Sequence, residues 1–300
     1  MTSGSSDPTP ARRAADPTAA PPGGAGAPPG RSLAHAVATA VALLAILAVC
    51  YVLGTGAFFV LVSVAASLAL FEVLDALAQA DRRPVTPFAL ACGLAMTVVA
   101  YARRPALLAV VLGVATIGSW VLALRPRRGS TAGSDAAWSV MAVAWIGGGA
   151  AAVVTITMLP GAGLSLVLAF LLTVAAADIA AYVVGSRWGR RKLAPRLSPG
   201  KSWEGAAGGL MAALAAGALL GLAIDDLGPL DGLALGGICG MLAPLGDLVE
   251  SLFKRELGIK DSGRLLPGHG GFLDRLDAAI FCAPVALLYL QWAQTSAEIT

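Results

Sequence analysis

The chain has 300 residues, of which 57% are hydrophobic and 13% charged, and its formal net charge is +3. The mean hydropathy is +0.77, and the charged fraction is about half that of an ordinary soluble domain, which excludes a soluble globular enzyme. The basic residues are spread over several loops, so the charge does not indicate nucleic-acid binding. Apolar blocks of about 20 residues can cross a hydrocarbon core, and they exclude the shorter alternating strands of a membrane β-barrel.

The N-terminal segment, residues 1–32, consists mainly of Pro, Gly, Ala, Ser and Thr. This composition cannot bury enough apolar surface to offset the entropy lost on ordering, so we expect a disordered cytoplasmic tail. The segment is too long and too rich in proline for the n-region of a signal peptide. Residues 33–300 then form the predicted transmembrane catalytic domain.

Nine apolar segments follow the tail, and each predicts a transmembrane helix. They cover residues 33–53, 57–80, 87–102, 105–124, 137–158, 162–185, 205–224, 230–250 and 277–297. The sequence shows no convincing internal repeat, which disfavours many transporter folds. The expected fold is therefore an all-α polytopic membrane protein with about nine transmembrane helices.

The distribution of Lys and Arg predicts how these helices are oriented. If the N-terminus is cytoplasmic, 19 of the 21 basic residues fall on the cytoplasmic side of the membrane. The external links then contain only Arg103 and Arg104, and the charged residues of the link at 225–231 are all acidic. We therefore expect a multi-pass protein of the plasma membrane, with its N-terminus inside and its C-terminus outside.

Two of the predicted cytoplasmic loops, 185–205 and 251–277, contain 11 of the 21 basic residues and are rich in Gly, Ser and Pro. Basic side chains beside small residues at helix ends suit phosphate binding. Loops that only rest on anionic lipid would also be basic. That alternative does not explain why carboxylates are interleaved with the basic residues.

Several carboxylates fall in the cytoplasmic halves of predicted spans, where ionisable groups are costly and indicate function. They are Glu72, Asp75, Asp178, Asp247 and Glu250. Asp274 and Asp277 open the ninth span, and Asp261 lies in the second loop. One helix face carries four polar residues at i, i+3, i+4 and i+7, namely Asp247, Glu250, Ser251 and Lys254. Carboxylates from two helices can bind Mg²⁺, which takes oxygen ligands. Two such ions could stabilise the attacking and leaving oxygens of an in-line displacement at phosphorus. Salt bridges from Asp274 and Asp277 to Lys254 or Arg275 are the alternative, and spacing alone leaves both open.

The second loop, SLFKRELGIKDSGRLLPGHGGFLDRLD, carries a dense set of distinctive residues: Ser251, Phe253, Lys254, Arg255, Lys260, Asp261, Gly263, Leu266, Pro267, His269, Gly270, Gly271, Phe272, Asp274, Arg275 and Asp277. With these residues it resembles the signature of the phosphatidate cytidylyltransferases, also called CDP-diacylglycerol synthases. The run DIAAYVVGSRWGRRKLAPRLSPGKSWEG, residues 178–205, is similar to a second block of that family, with Ser202 where threonine is frequent. The resemblance covers the C-terminal half, whereas the first 130 residues match only as a set of spans.

The resemblance implies an enzyme that transfers CMP from CTP to phosphatidic acid, giving CDP-diacylglycerol and pyrophosphate in phospholipid biosynthesis. It implies a requirement for Mg²⁺, with room for a second divalent or monovalent cation, and it leaves a homodimer open. The predicted topology, independently, puts the active site at the cytoplasmic ends of the spans, where both substrates can reach it. The alternatives are a related CTP-dependent lipid or polyprenol enzyme or, from another class, a cation or phosphate transporter.

The resemblance also implies roles for individual residues. The metal ligands would be Asp247 and Asp274, with Asp277 and Asp261 as further ligands. The catalytic groups would be Lys254, Arg255, Lys260 and Arg275, which hold phosphates, and His269. The histidine would be a base or a hydrogen-bond donor to phosphate, and the donor is favoured because the phosphate of phosphatidic acid is already largely ionised near pH 7. Substrate would also contact Ser198, Lys201, Ser251, Gly270 and Gly271.

Overall fold

The structure, a computed structural model, describes residues 45–124, 132–259 and 271–297. The predicted tail and four predicted site residues, Lys260, Asp261, His269 and Gly270, lie outside the described residues. Of the first predicted span, residues 45–53 are helical. The rest of the described chain is helical apart from short links and one small β-hairpin, which confirms the all-α polytopic fold.

Within the described residues, eight helices follow residue 54. They are α1 Thr55–Gln79, α2 Thr86–Tyr101, α3 Pro105–Ala123, α4 Ala132–Thr157, α5 Gly163–Trp188, α6 Trp203–Ala223, α7 Pro229–Glu256 and α8 Leu273–Ala297. Helix α4 contains a π-helical turn at Val143–Gly147. The hairpin, β1 Lys192–Ala194 and β2 Ser198–Ser202, lies between α5 and α6. Seven of the helices are long and apolar enough to cross a membrane, and α2 is a shorter apolar helix.

Each of the predicted spans from the second to the ninth corresponds to one of these helices. Helix α4 begins at Ala132 rather than residue 137, and two further differences lie at the ends of the second predicted loop. Helix α7 runs to Glu256 rather than residue 250, and α8 begins at Leu273 rather than residue 277. Lys254 and Arg255 are therefore helical, because a helix can continue past the last apolar residue that marks the membrane. The total number of spans and their orientation stay predictions.

The outer surface of the bundle is apolar. Large side chains such as Ile117, Leu219 and Leu222 are exposed on α3 and α6. Water would disfavour an apolar surface of this extent, whereas lipid tails do not. The chain is therefore a multi-pass membrane protein.

Helix α6 packs closely against both α5 and α7 through small residues. A small residue recurs at every fourth position of α6, at Gly205, Gly209, Ala213, Gly217 and Gly221. A Cβ atom on Gly209 would lie 2.8 Å from the carbonyl oxygen of Ala177 on α5, and one on Gly236 of α7 would overlap the backbone of Ala213. Close backbone approach of this kind is a principal source of helix packing in membranes.

A cluster of buried apolar residues fixes the ends of α7 and α8 that carry the carboxylates. Phe253 and Leu273 belong to this cluster, together with residues of α1, α2 and α4. The ring of Phe253 meets Trp138 and Trp145 of α4 edge-on, with centroids 5.9 and 6.0 Å apart. The end of α7 is thereby held against α4.

Candidate active site

The β-hairpin carries Lys201 to the end of the bundle where α5 and α7 finish, which we call the hairpin end. The two strands are antiparallel, with Lys192 opposite Ser202 and Ala194 opposite Ser198. Lys201 precedes the last residue of β2, directly before α6 begins. The Lys201 side chain reaches α7 in space, although the whole of α6 lies between Lys201 and α7 in the sequence.

Two side chains lock the hairpin onto the start of α6. The Ser202 hydroxyl accepts a hydrogen bond from the Gly205 N–H at 3.1 Å, the usual N-cap arrangement. The Glu204 carboxylate accepts hydrogen bonds from the backbone N–H groups of Arg190 and Arg191, at 3.1 and 3.2 Å. Both contacts fix the backbone on either side of Lys201. No role for Glu204 was predicted from the sequence, because its partners are backbone groups.

A pocket of about 300 Å³ opens between the hairpin and helices α5, α6 and α7. Its polar lining includes Asp178, Ser198, Lys201 and Asp247. The Lys201 ammonium group pairs with the Asp247 carboxylate and donates a hydrogen bond to the Pro244 carbonyl at 3.4 Å. Asp178 of α5 interacts electrostatically with both Lys201 and Asp247. A cation and two carboxylates therefore meet in a pocket that a ligand can enter.

A second cluster joins the end of α7 to the start of α8. The Lys254 ammonium nitrogen lies 3.2 Å from Glu250 Oε1 and 3.0 Å from Asp274 Oδ1. The other oxygen of Asp274 accepts a hydrogen bond from the Gly271 N–H at 2.9 Å. The Lys254–Asp274 pair is the salt bridge that the ion-pair alternative predicts.

Asp277 connects the two clusters. It is only 6% exposed, and its side chain interacts with those of Asp247 and Glu250 on α7. One oxygen also accepts a hydrogen bond from the Ala278 N–H at 2.8 Å. The carboxylates of α7 and α8 therefore form one continuous row, which begins at the pocket and ends at Lys254.

Glu72 of α1 holds the start of α8 in place. It is 2% exposed, and its Oε2 atom accepts a hydrogen bond from the Leu273 N–H at 2.9 Å. The first N–H groups of a helix have no acceptor within that helix, so a carboxylate from another helix serves here as the cap. The sequence singles out Glu72 as a carboxylate within a span, but no spacing relates it to Leu273.

The donor atoms of this row suit a hard cation. Five carboxylates, from Asp178, Asp247, Glu250, Asp274 and Asp277, face two ammonium groups, from Lys201 and Lys254. The carboxylates repel one another at low dielectric, and a divalent ion, which prefers oxygen ligands, would relieve that repulsion. Among the described residues, no three His, Cys, Asp or Glu side chains have the geometry of a metal site. Lysines hold Asp247 and Asp274 in the positions seen here.

The structure brings most of the predicted site residues together at the hairpin end. Seven of them lie in the pocket or in the two clusters: Ser198, Lys201, Asp247, Lys254, Gly271, Asp274 and Asp277. Ser251 is half-buried on α7, and Arg255 and Arg275 are exposed at the same end. The roles predicted for these three residues stay predictions.

The chain is similar to known proteins over both halves. The model of the cytidylyltransferase family matches residues 34–293. A phosphatidate cytidylyltransferase of Mycobacterium leprae is 42% identical over 152 residues, 51% of this chain and 48% of the relative. One from Brucella suis biovar 1 is 50% identical over 113 residues, 38% of this chain and 41% of the relative. The uncharacterized protein YnbB of Escherichia coli is 44% identical over 130 residues, 43% of this chain and 44% of the relative.

These pairwise alignments span less than half the length of each relative. The family model, in contrast, covers most of the chain, from the first predicted span to the last turns of α8. This chain therefore belongs to the cytidylyltransferase family.

Proposed function

We propose that the chain is a phosphatidate cytidylyltransferase, which transfers CMP from CTP to phosphatidic acid and forms CDP-diacylglycerol and pyrophosphate. The observation that carries this proposal is the row of lysines and carboxylates at the hairpin end, which starts in an open pocket and ends among buried carboxylates. Membership of the cytidylyltransferase family and two relatives named phosphatidate cytidylyltransferase support it.

The position of the row suits two substrates that arrive from different phases. Phosphatidic acid must come from the bilayer, and CTP must come from water. A site at the ends of transmembrane helices is open to both. We propose that the protein lies in the plasma membrane and that the hairpin end faces the cytoplasm, because 19 of the 21 basic residues fall on the cytoplasmic side in the predicted topology.

The two lysines would change partners when substrate binds. In the structure Lys201 is held by Asp247, and Lys254 is held by Glu250 and Asp274. A triphosphate is a stronger partner for an ammonium group than a single carboxylate, because it carries more charge and more acceptor oxygens. Lys201 and Lys254 would therefore turn to the phosphates and release the carboxylates.

The released carboxylates would hold the cation. We propose Asp247, Asp274 and Asp277 as its ligands, for one or two ions, and Asp261 as a further ligand. Bound Mg²⁺ would neutralise charge on the triphosphate. The lysines would then hold the phosphates in line while an oxygen of the lipid phosphate bonds to the α-phosphorus and the bond to pyrophosphate breaks. The lipid phosphate is already ionised near neutral pH, so the attack requires no strong base.

The direct test is turnover by the purified protein in detergent with CTP, phosphatidic acid and Mg²⁺. We expect CDP-diacylglycerol and pyrophosphate in equal amounts, and no product after chelation with EDTA until Mg²⁺ is restored. Product from a polyprenol or another lipid acceptor, with none from phosphatidic acid, would contradict the proposal. Uptake of phosphate or cations into sealed vesicles without CTP turnover would also contradict it.

A further inference from the structure

A second cavity, of about 500 Å³, lies within the membrane-spanning part of the bundle between α2, α3, α4 and α8. Its lining is almost entirely apolar, and Ala144, Pro284 and Leu288 are exposed, so it is a groove that opens on the lipid-facing surface. We propose that this groove binds one acyl chain of the phosphatidic acid substrate. The inference rests on the proposed function.

The groove continues the face of α8 that carries the carboxylates. After Asp277, the lining residues of α8 include Ile280, Phe281, Pro284 and Leu288, at positions i+3, i+4, i+7 and i+11, which share one helix face. Ile280 lies about 4.5 Å along the helix from Asp277, and the stretch to Leu288 covers about 12 Å more, at 1.5 Å per residue. A lipid whose phosphate lies at the carboxylate row would therefore extend a chain along this groove.

Two neighbouring glycines of α4 give the groove its shape. A Cβ atom on Gly149 would overlap the backbone of Ile280, so this glycine lets α4 and α8 approach closely. A Cβ atom on Gly148 would meet nothing within 4 Å, and Gly148 lines the groove. Gly149 therefore allows α4 and α8 to approach closely, whereas Gly148 leaves open space beside them.

A hydrogen-bond donor without a partner lies at the end of the groove nearest to α7. Trp145 lines the groove, and its indole nitrogen is buried without a partner among the described residues. Thr155, in contrast, donates its hydroxyl hydrogen to the Ala151 carbonyl at 2.7 Å. Trp145 also contacts Phe253 near the end of α7, with ring centroids 6.0 Å apart. The indole nitrogen has almost no accessible surface, so the ring must rotate for its N–H to face the groove. Once rotated, this N–H would suit the ester carbonyl of a glycerolipid, since that group joins a phosphate-bearing glycerol to its acyl chain.

The test fills the groove without disturbing the packing around it. Gly148→Leu places a side chain in the open space, and Gly113→Leu on α3 is the matched control. A Cβ at Gly113 also meets nothing within 4 Å, and Gly113 is not part of the groove lining. KM and kcat are measured with dioctanoyl, dilauroyl and dipalmitoyl phosphatidic acid in mixed micelles, and size-exclusion elution checks that each variant is folded.

We expect Gly148→Leu to raise KM for the dipalmitoyl lipid by about tenfold, the size of effect that misfits of a methylene or two produce. Gly148 lies beside Gly149 and Ile280, at the end of the groove nearest the carboxylates, so a similar increase should appear for all three lipids, and Gly113→Leu should follow the wild type. An unchanged KM of Gly148→Leu for all three lipids would overturn the inference. If the wild type forms no CDP-lipid from any of the three lipids, the proposed function itself fails.

A second variant tests the donor and does not depend on Gly148→Leu being stable. Trp145→Phe keeps an aromatic ring but removes the N–H. We expect the wild type to favour ester-linked over ether-linked phosphatidic acid in kcat/KM, and the variant to lose that preference. An unchanged ester-to-ether ratio would overturn the role of the indole N–H.

A photoreactive group at the end of the acyl chain should label α4 and α8. Labelling of other helices only would place the chain elsewhere and overturn the inference.

Discussion

Asp247 and Asp274 differ from the other acidic residues of the bundle because each is paired with a lysine from another structural element. Lys201 reaches Asp247 from the hairpin, and Lys254 reaches Asp274 from α7. The pairs keep charge in the apolar interior while the row stays accessible from the pocket. Breaking such a pair at one end leaves the other charge without compensation.

Asp247→Asn and Asp274→Asn should each lower kcat by about a hundredfold or more, as the loss of one group that stabilises transition-state charge does. Both substitutions keep the size of the side chain and remove its negative charge. Asp75→Asn is the control, because Asp75 is exposed on α1 and pairs only with Gln79 in the same helix among the contacts described here. The measurement is CDP-diacylglycerol formation at equal amounts of monodisperse protein. Activity like that of the wild type would remove the residue from the proposed metal site.

Glu72 should act as a positioning residue through its hydrogen bond to Leu273. Glu72→Gln retains an oxygen that can accept from the Leu273 N–H, whereas Glu72→Ala leaves that N–H without its cap. We expect Glu72→Ala to lower stability by about 1 kcal/mol, the usual cost of losing a helix cap, and to weaken Mg²⁺ activation, with Glu72→Gln closer to the wild type. Thermal unfolding and the Mg²⁺ dependence of turnover measure the two effects. Equal behaviour of the two variants would show that capping is not the role of Glu72.

Which residues the sequence identifies depends on how far apart the partners lie in the chain. Asp274 and Asp277 are three residues apart, so helical spacing alone predicts that both face the same neighbour. Glu72 and Leu273 are separated by 201 residues, and the Leu273 contact uses a backbone N–H, which every residue except proline has. Chemistry that depends on side-chain type was predictable from the sequence, whereas support from backbone groups was not.

At the scale of helices and strands, apolar length predicted which segments are helical better than where each helix ends. The charged residues at the end of α7 continue the helix because Lys, Arg and Glu are good helix formers. The hairpin was not predicted because Ser198–Ser202 contains Pro and Gly and lacks the alternating pattern of a strand. It is held by side chains that accept from backbone N–H groups, Ser202 from Gly205 and Glu204 from Arg190.

The small-residue contact between α6 and α7 should tolerate no added methyl group at Gly236. Gly236→Ala would force Cβ into the backbone of Ala213 and should destabilise the protein by about 2 kcal/mol, as overpacking does. Gly237→Ala is the control, because its Cβ would meet only the Leu214 side chain at 3.7 Å, an ordinary contact. Gly237→Ala should be neutral or slightly stabilising, since alanine favours a helix. Unfolding in detergent measures both, and equal melting temperatures would contradict the packing described here.

For the whole molecule, the proposed function requires an orientation of the bundle in which cytoplasmic CTP can reach the proposed site. Single cysteines at Ser198 and at the exposed Asp225 would be placed in a variant without the four buried natural cysteines. The cysteine at position 198 should resist an impermeant thiol reagent in intact cells and react once the membrane is opened. CTP with Mg²⁺ should slow that reaction, because Ser198 lines the pocket.

The cysteine at position 225, in the acidic link before α7, should react in intact cells. It serves as the internal control for reagent access and expression. The reverse pattern, with position 198 labelled from outside and position 225 protected, would show that the proposed topology is inverted and would leave the site without access to cytoplasmic CTP.

The pairing of α8 with earlier helices has a consequence for how the protein is made. A polytopic chain enters the membrane as it is synthesised, from the N-terminal end onward, so Glu72 of α1 and Lys254 of α7 are inserted before their partners. Glu72 accepts a hydrogen bond from the Leu273 N–H, and Lys254 pairs with Asp274. Leu273 and Asp274 are inserted only with α8. Until then Glu72 lies within its membrane span without its final partner, at a cost of several kcal/mol, whereas Lys254 is paired with Glu250 of its own helix. Insertion of α8 therefore completes the proposed site and the packing of the bundle in one step, and a chain that stops before residue 273 would lack both.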